Sequence, residues 1–90
     1  NSPTFVLMKR FRVRDLNFKN AYHLDCYRLK QAKDLLDLGF GEILEEPTNL
    51  VLIEWPERVK NILPKERILI KMKHGKEENQ RMISIIEGKR

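Results

Sequence analysis

The chain has little of what several kinds of site require. Its single cysteine, Cys26, excludes an internal disulfide and any zinc site built on several cysteines. Only two histidines accompany it, which argues against a structural zinc site. The one base near Cys26 in sequence is His23, which the strand pattern places on the opposite face, so thiol catalysis is not indicated. A chain so poor in cysteine fits a reducing compartment, and we expect it to be cytoplasmic.

Long apolar runs are also missing. None approaches the roughly 20 residues that a membrane-spanning helix needs, and the start of the chain lacks the pattern of a signal peptide. We therefore expect no membrane association. The chain begins with Asn1 rather than Met and runs almost directly into a strand pattern, which favours a truncated domain at least as much as a processed one.

Glycine is scarce, with four residues, and none of them forms a phosphate-binding loop. That loop needs Gly, four residues, and then Gly-Lys-Ser/Thr. The two Gly-Lys pairs, Gly75-Lys76 and Gly88-Lys89, are followed by Glu77 and Arg90. We therefore expect the chain by itself not to bind ATP appreciably.

What remains is the composition of one small globular domain. The 90 residues are 41% hydrophobic and 34% charged, with a net charge of +5 that mildly favours anionic partners such as nucleotides or RNA. A chain of this length buries a limited core, so an incomplete domain would be poorly packed alone.

Hydrophobic periodicity predicts an α/β fold. An N-terminal β-hairpin comes first, short helices follow around one fully apolar strand, and a C-terminal β-hairpin closes the chain. The strands are predicted at residues 4–13, 21–28, 50–53, 68–73 and 82–86, and the helices at residues 29–38, 41–46 and 57–63. Gly39 is expected to end the first helix. The run from Leu50 to Ile53 is typical of a strand that is covered on both faces.

Glu54 ends that apolar run and is the first candidate site residue. In open α/β sheets, ligands bind outside the carboxyl ends of the strands. A carboxylate there can hold a magnesium ion or orient an attacking water, as in proteins that hydrolyse nucleotides. The same position also suits a residue that caps the helix after Pro56, and this simpler reading is the commoner one.

Asp25 belongs to a second polar group. At period two, His23, Asp25 and Tyr27 share one face of their strand, while Leu24 and Cys26 share the other. Three polar side chains in a row indicate either a site or the solvated face of a hairpin, and the second alternative is favoured by the residues alone.

Three further features each have two interpretations. Thr4 can coordinate magnesium through its hydroxyl, but Ser-Pro-Thr is also ordinary turn chemistry. Trp55 can stack on a base or pack into a core. The alternating Arg10, Arg12 and Arg14 can meet phosphates or form a solvated edge that discourages aggregation, and we favour the edge.

Several segments, in order, resemble the TsaE (YjeE) family. Residues 2–5 are similar to its Ser-Pro-Thr-Phe segment, and residues 22–29 to its Tyr-His-x-Asp-x-Tyr-Arg-Leu. Residues 35–39 are like the helix end that follows in the family. Residues 52–57 are similar to its Leu-Ile-Glu-Trp-Pro-Glu signature. Each segment is modest alone, but four in the same order and spacing are quite specific.

The resemblance implies part of a P-loop NTPase-like sheet, with residues 1–90 forming the C-terminal portion of one ATPase domain. It implies ATP and Mg²⁺ as cofactors and a role in making N6-threonylcarbamoyladenosine at position 37 of tRNA. The implied partners are TsaB and TsaD, with tRNA reached indirectly through the complex.

The same resemblance implies the site residues. Asp25 and Glu54 correspond to catalytic and metal-binding acids, Thr4 to a switch-like threonine near the metal that also binds the cofactor, and Trp55 to a cofactor-binding tryptophan. It does not say which carboxylate meets the metal and which orients water.

The family's phosphate loop precedes Ser-Pro-Thr-Phe, where this chain has only Asn1, so we expect the chain alone to be inactive as an ATPase. The alternative function is a non-enzymatic basic module that binds a protein partner or RNA.

Overall fold

The computed structural model describes residues 7–87. Its element order is β1 (Leu7–Arg12), β2 (Asn20–Asp25), α1 (Ala32–Leu36), α2 (Phe40–Glu45), β3 (Asn49–Glu54), β4 (Ile68–His74) and β5 (Arg81–Glu87). Two single 3-10 turns, Pro56–Arg58 and Lys60–Ile62, lie between β3 and β4. The predicted α/β class and both predicted hairpins are therefore confirmed.

The strands form two sheets. In the first, with order β1-β2-β3, β1 and β2 are antiparallel and β2 and β3 are parallel. The β1–β2 connection is a hairpin in which Oδ2 of Asp15 accepts hydrogen bonds from the N–H groups of Asn17 and Phe18 at 2.8 and 3.3 Å. Parallel strands need a longer crossover, and α1 and α2 supply it. The second sheet is the antiparallel β4–β5 hairpin.

The two helices are shorter than predicted. The first begins at Ala32 rather than near Leu29, because the chain turns after β2 and the N–H of Leu29 donates to the carbonyl of Cys26 at 3.1 Å. Gly39 has a positive φ of 88°, the left-handed conformation that glycine tolerates, and here it separates α1 from α2.

The helix predicted at residues 57–63 is instead the two 3-10 turns. Their short i to i+3 hydrogen bonds include the one from the N–H of Val59 to the carbonyl of Pro56, at 2.9 Å.

The core lies between one face of the three-stranded sheet and the crossover. Its buried side chains are Leu24, Cys26, Leu29, Leu35, Phe40 and Val59. Val51 and Ile53 of β3 pack against this cluster. Leu50 and Leu52, which point to the other face, are 38% and 52% exposed. Within residues 7–87 only the core face of this apolar strand is covered, and the cover predicted for its other face stays a prediction.

Candidate functional site

The strand register brings the two predicted acids together. Asp25 is the last residue of β2 and Glu54 the last residue of β3, and the two are paired partners in the parallel ladder. The N–H of Cys26 donates to the carbonyl of Glu54 at 3.0 Å, which continues the ladder past the strand ends. Paired residues of neighbouring strands share a face. Both carboxylates therefore lie at the C-terminal ends of β2 and β3, on the face opposite the core.

The two carboxylates have different partners. Oδ1 of Asp25 accepts a hydrogen bond from the backbone N–H of Tyr27 at 3.1 Å, so this side chain is tied to the turn that follows β2. Oε1 of Glu54 lies 2.5 Å from Nε2 of His23, which is two residues before Asp25 on the neighbouring strand. Within residues 7–87 neither carboxylate has another polar contact, so one oxygen of each is available to a ligand.

Trp55 follows Glu54 in an unusual backbone conformation. Its φ of 57° and ψ of 59° are left-handed, and it is the only residue other than glycine with a positive φ among residues 7–87. A non-glycine residue held there costs about 1–3 kcal/mol, and such residues cluster at functional sites. This conformation joins the extended β3 to the 3-10 turn at Pro56 and leaves the indole 54% exposed.

A shallow depression of about 270 Å³ is lined by residues that follow the two acids in sequence, although neither acid lines it. The rings of Tyr27 and Trp55 meet edge to face, with centroids 4.9 Å apart, and both residues are more than half exposed. Glu57, Arg58 and Cys26 complete the lining. Burial, with a smaller contribution from the charge of Asp25, raises the pKa of the Cys26 thiol, so this part of the lining is neutral.

The donor set fits one kind of metal site. Among residues 7–87, no group of three or more His, Cys, Asp or Glu side chains is placed to hold a metal ion, which excludes an all-protein cage in this part of the chain. Magnesium is usually held by one or two carboxylates together with waters and substrate phosphates. Asp25 and Glu54, two carboxylates at one sheet edge, suit that arrangement.

The remaining predicted and observed site residues differ in where the structure places them. Thr4 lies outside the described residues, so its proximity to the acids stays a prediction. Glu57 and Arg58 line the depression but were not expected to be site residues, and the contact of His23 with Glu54 was not foreseen.

No helix in the described part of the chain is long and apolar enough to cross a membrane.

Comparison with known proteins gives this geometry a context. The model of one protein family, described as threonylcarbamoyl adenosine biosynthesis protein TsaE, matches residues 1–83. The chain belongs to the TsaE family.

Curated relatives with the name tRNA threonylcarbamoyladenosine biosynthesis protein TsaE agree with this membership. The protein of Rickettsia felis is 39% identical over 85 residues, which are 94% of this chain and 46% of that protein. The Treponema pallidum protein is 36% identical over 72 residues, 80% of this chain and 50% of its own. The Bacillus subtilis protein is 30% identical over all 90 residues and 53% of its own length. The chain thus spans about half the length of the TsaE proteins it matches, and no solved structure matches it significantly.

Proposed function

We propose that this chain carries the acidic part of a magnesium-dependent ATPase site that serves tRNA threonylcarbamoyladenosine biosynthesis. The observation that supports this most is the pairing of Asp25 with Glu54 at the ends of two parallel strands. Ligands of open α/β sheets bind beyond the carboxyl ends of the strands, which is where these two acids lie. The family resemblance implies that the ligand is ATP.

The two acids divide the work of holding the metal and orienting the attacking water. Bound with ATP, Mg²⁺ neutralises negative charge on the phosphates. With Mg-ATP bound, one carboxylate would hold the ion or its waters, and the other would accept a hydrogen bond from the water that attacks the γ-phosphate. Both side chains start from strand ends whose backbone is fixed by the ladder, and fixed placement of reacting groups is a large source of rate enhancement.

Trp55 and Tyr27 form the aromatic side of the site. The two residues are exposed and closely follow the acids in sequence, and a nucleobase can stack on either ring. Arg58 in the same depression supplies a fixed positive charge for a phosphate. Thr4 supplies a hydroxyl to the magnesium ion, as the family resemblance implies.

The partners of this site are TsaB and TsaD, through which it acts on tRNA indirectly. ATP hydrolysis in this complex supports repeated rounds of tRNA modification. If so, adding the product of the complete gene to TsaB and TsaD raises the number of tRNA molecules that each complex modifies, and the Asp25→Asn variant does not give this increase.

The direct test is ATP hydrolysis by the product of the complete gene that encodes this chain. We expect phosphate release that requires Mg²⁺ and stops with EDTA, while the 90-residue chain alone gives no saturable heat with Mg-ATP in calorimetry. A gene product without Mg-dependent hydrolysis would contradict the proposal. Micromolar ATP binding by the isolated chain would instead indicate a nucleotide pocket that needs no phosphate loop.

A second candidate is the basic binding module. Lys9, Arg10 and Arg12 are exposed on β1, and no ion pair joins them to another residue within 7–87. If this strand binds RNA, affinity falls steeply with salt in the absence of nucleotide, because each phosphate contact releases a counterion. If the chain does not bind RNA even at low salt, this candidate is excluded.

A further inference from the structure

The two acids of the proposed site would repel each other if nothing separated them. Asp25 and Glu54 are direct partners in the ladder, on strands about 5 Å apart, and like charges at such positions are destabilising. In the structure they turn in opposite directions along the sheet. Asp25 is bonded to the N–H of Tyr27, beyond the strand end, while Glu54 reaches back to His23.

The side chains of the two acids are also restrained to different degrees. The partner of Asp25 is a backbone group two residues away, so its short side chain is fixed by the turn itself. Glu54 has a longer side chain with one more rotatable bond, and 58% of it is exposed. Its single described contact is the 2.5 Å one to Nε2 of His23.

His23 is itself well placed for this contact. It lies in the middle of β2, paired on one side with Lys9 and on the other with Leu52, so its backbone is fixed by two strands. Its side chain is 42% exposed, on the same face as both acids. A carboxylate accepts hydrogen bonds, so Nε2 of His23 is the donor.

We infer that His23 is a positioning residue that orients the Glu54 carboxylate for ATP hydrolysis, an inference that rests on the function proposed above. By ordering a long exposed side chain before the substrate binds, His23 removes rotational freedom that would otherwise be lost in the transition state. The effect holds whether Glu54 meets the metal ion or the water. His23 itself touches neither.

The first test is whether the contact persists in solution, measured on the complete gene product without any ligand. A nitrogen-15 spectrum of the imidazoles, assigned by histidine substitution, resolves the rings of His23 and His74. We expect the Nε2–H signal of His23 to be protected from exchange and to lose this protection in Glu54→Leu. The ring of His74, at the end of β4, serves as the internal control and is expected not to change. An unprotected His23 ring in the wild-type chain would overturn the inference.

The second test is steady-state phosphate release by the complete gene product. His23→Leu is expected to lower kcat by about tenfold and to leave KM for ATP within about twofold, because orientation acts in the transition state. His23→Gln places an amide donor near the position of Nε2 and is expected to restore most of kcat. His74→Leu is the matched control and should have no effect. Since His23 is half-exposed beside Leu52, leucine fits there, and unchanged thermal melts would verify this.

A double-mutant cycle decides whether His23 acts through Glu54. In a Glu54→Gln background, His23→Leu is expected to cost less than about twofold, since there is no carboxylate left to orient. A further tenfold loss in that background, or normal kcat in the single variant, would overturn the inference. Failure of the proposed function looks different: the wild type then hydrolyses no ATP, or Glu54→Gln is fully active.

Discussion

The two faces of the three-stranded sheet carry different kinds of residue on the same strands. On the core face, Leu24 is fully buried and Ile53 packs against the buried cluster. On the opposite face, the next residues along each strand are Asp25, which accepts a hydrogen bond from the N–H of Tyr27, and Glu54, which contacts His23. Strand alternation therefore separates the residues that fold the chain from those proposed to do chemistry. Neighbouring positions in sequence should respond to mutation in opposite ways.

The largest expected effect is on the open face. Glu54→Gln keeps the size of the side chain but removes its charge, so we expect phosphate release by the complete gene product to fall by about 10²–10⁴-fold, the range for losing one acid–base group. Folding should be nearly unaffected, because the side chain is exposed.

The matched control for Glu54→Gln is Glu57→Gln. Glu57 lies in the first turn after β3, where its charge complements the local backbone dipole. We expect its removal to change hydrolysis by only a few fold. Near-normal turnover in Glu54→Gln would remove this residue from the catalytic set and leave Asp25 as the acidic candidate.

The next effect is on the core side. Phe40 begins α2 and is fully buried in the cluster under the sheet. Phe40→Ala is expected to lower the free energy of unfolding by about 3–5 kcal/mol, through lost burial and the cavity left behind. Leu38→Ala is the control, since Leu38 is 55% exposed two residues earlier, and it should cost less than about 1 kcal/mol. Urea unfolding of the complete gene product measures both, and equal losses would mean that this core is not formed in solution.

Much of this arrangement was predictable from the sequence, because period-two alternation assigns faces. It placed Leu24 and Cys26 together on one face and His23 with Asp25 on the other, and the apolar run placed Glu54 at a strand end. The resemblance to the TsaE family identified the same acids, and family membership is now shown.

The rest depends on pairing, which the pattern of one strand does not contain. The contact between His23 and Glu54 exists because β2 and β3 are parallel and paired with Asp25 opposite Glu54. The four apolar residues before Glu54 predicted cover on both faces, yet Leu50 and Leu52 are exposed in this part of the protein. An apolar run shows that a strand can be buried, but neighbouring layers decide whether it is.

The smallest expected effect lies away from both faces, in the turn before β3. The Glu46 carboxyl accepts hydrogen bonds from the backbone N–H and the hydroxyl of Thr48. Both lower its pKa below the ordinary value of 4.5, and the backbone N–H has the larger effect. A carboxyl with a lowered folded-state pKa contributes stability above its unfolded pKa and loses it as pH falls through the folded value. In urea unfolding, the free energy of unfolding of Glu46→Gln should therefore fall slightly less than that of the wild type as the pH drops below 4.5. Glu45→Gln is the control, and an equal flattening there would contradict the assignment.

The most direct test of the separation between faces uses two consecutive residues, Leu24 and Asp25, with a thermal melt and a phosphate-release assay on the same preparations of the complete gene product. Asp25→Asn retains an oxygen for the Tyr27 N–H, so its melt should match the wild type while hydrolysis falls by about 10²-fold or more. Leu24→Ala should lose about 2–5 kcal/mol of stability yet keep kcat within a few fold below its melting temperature. Normal hydrolysis in Asp25→Asn would contradict the account, since the open face would then have no part in the reaction.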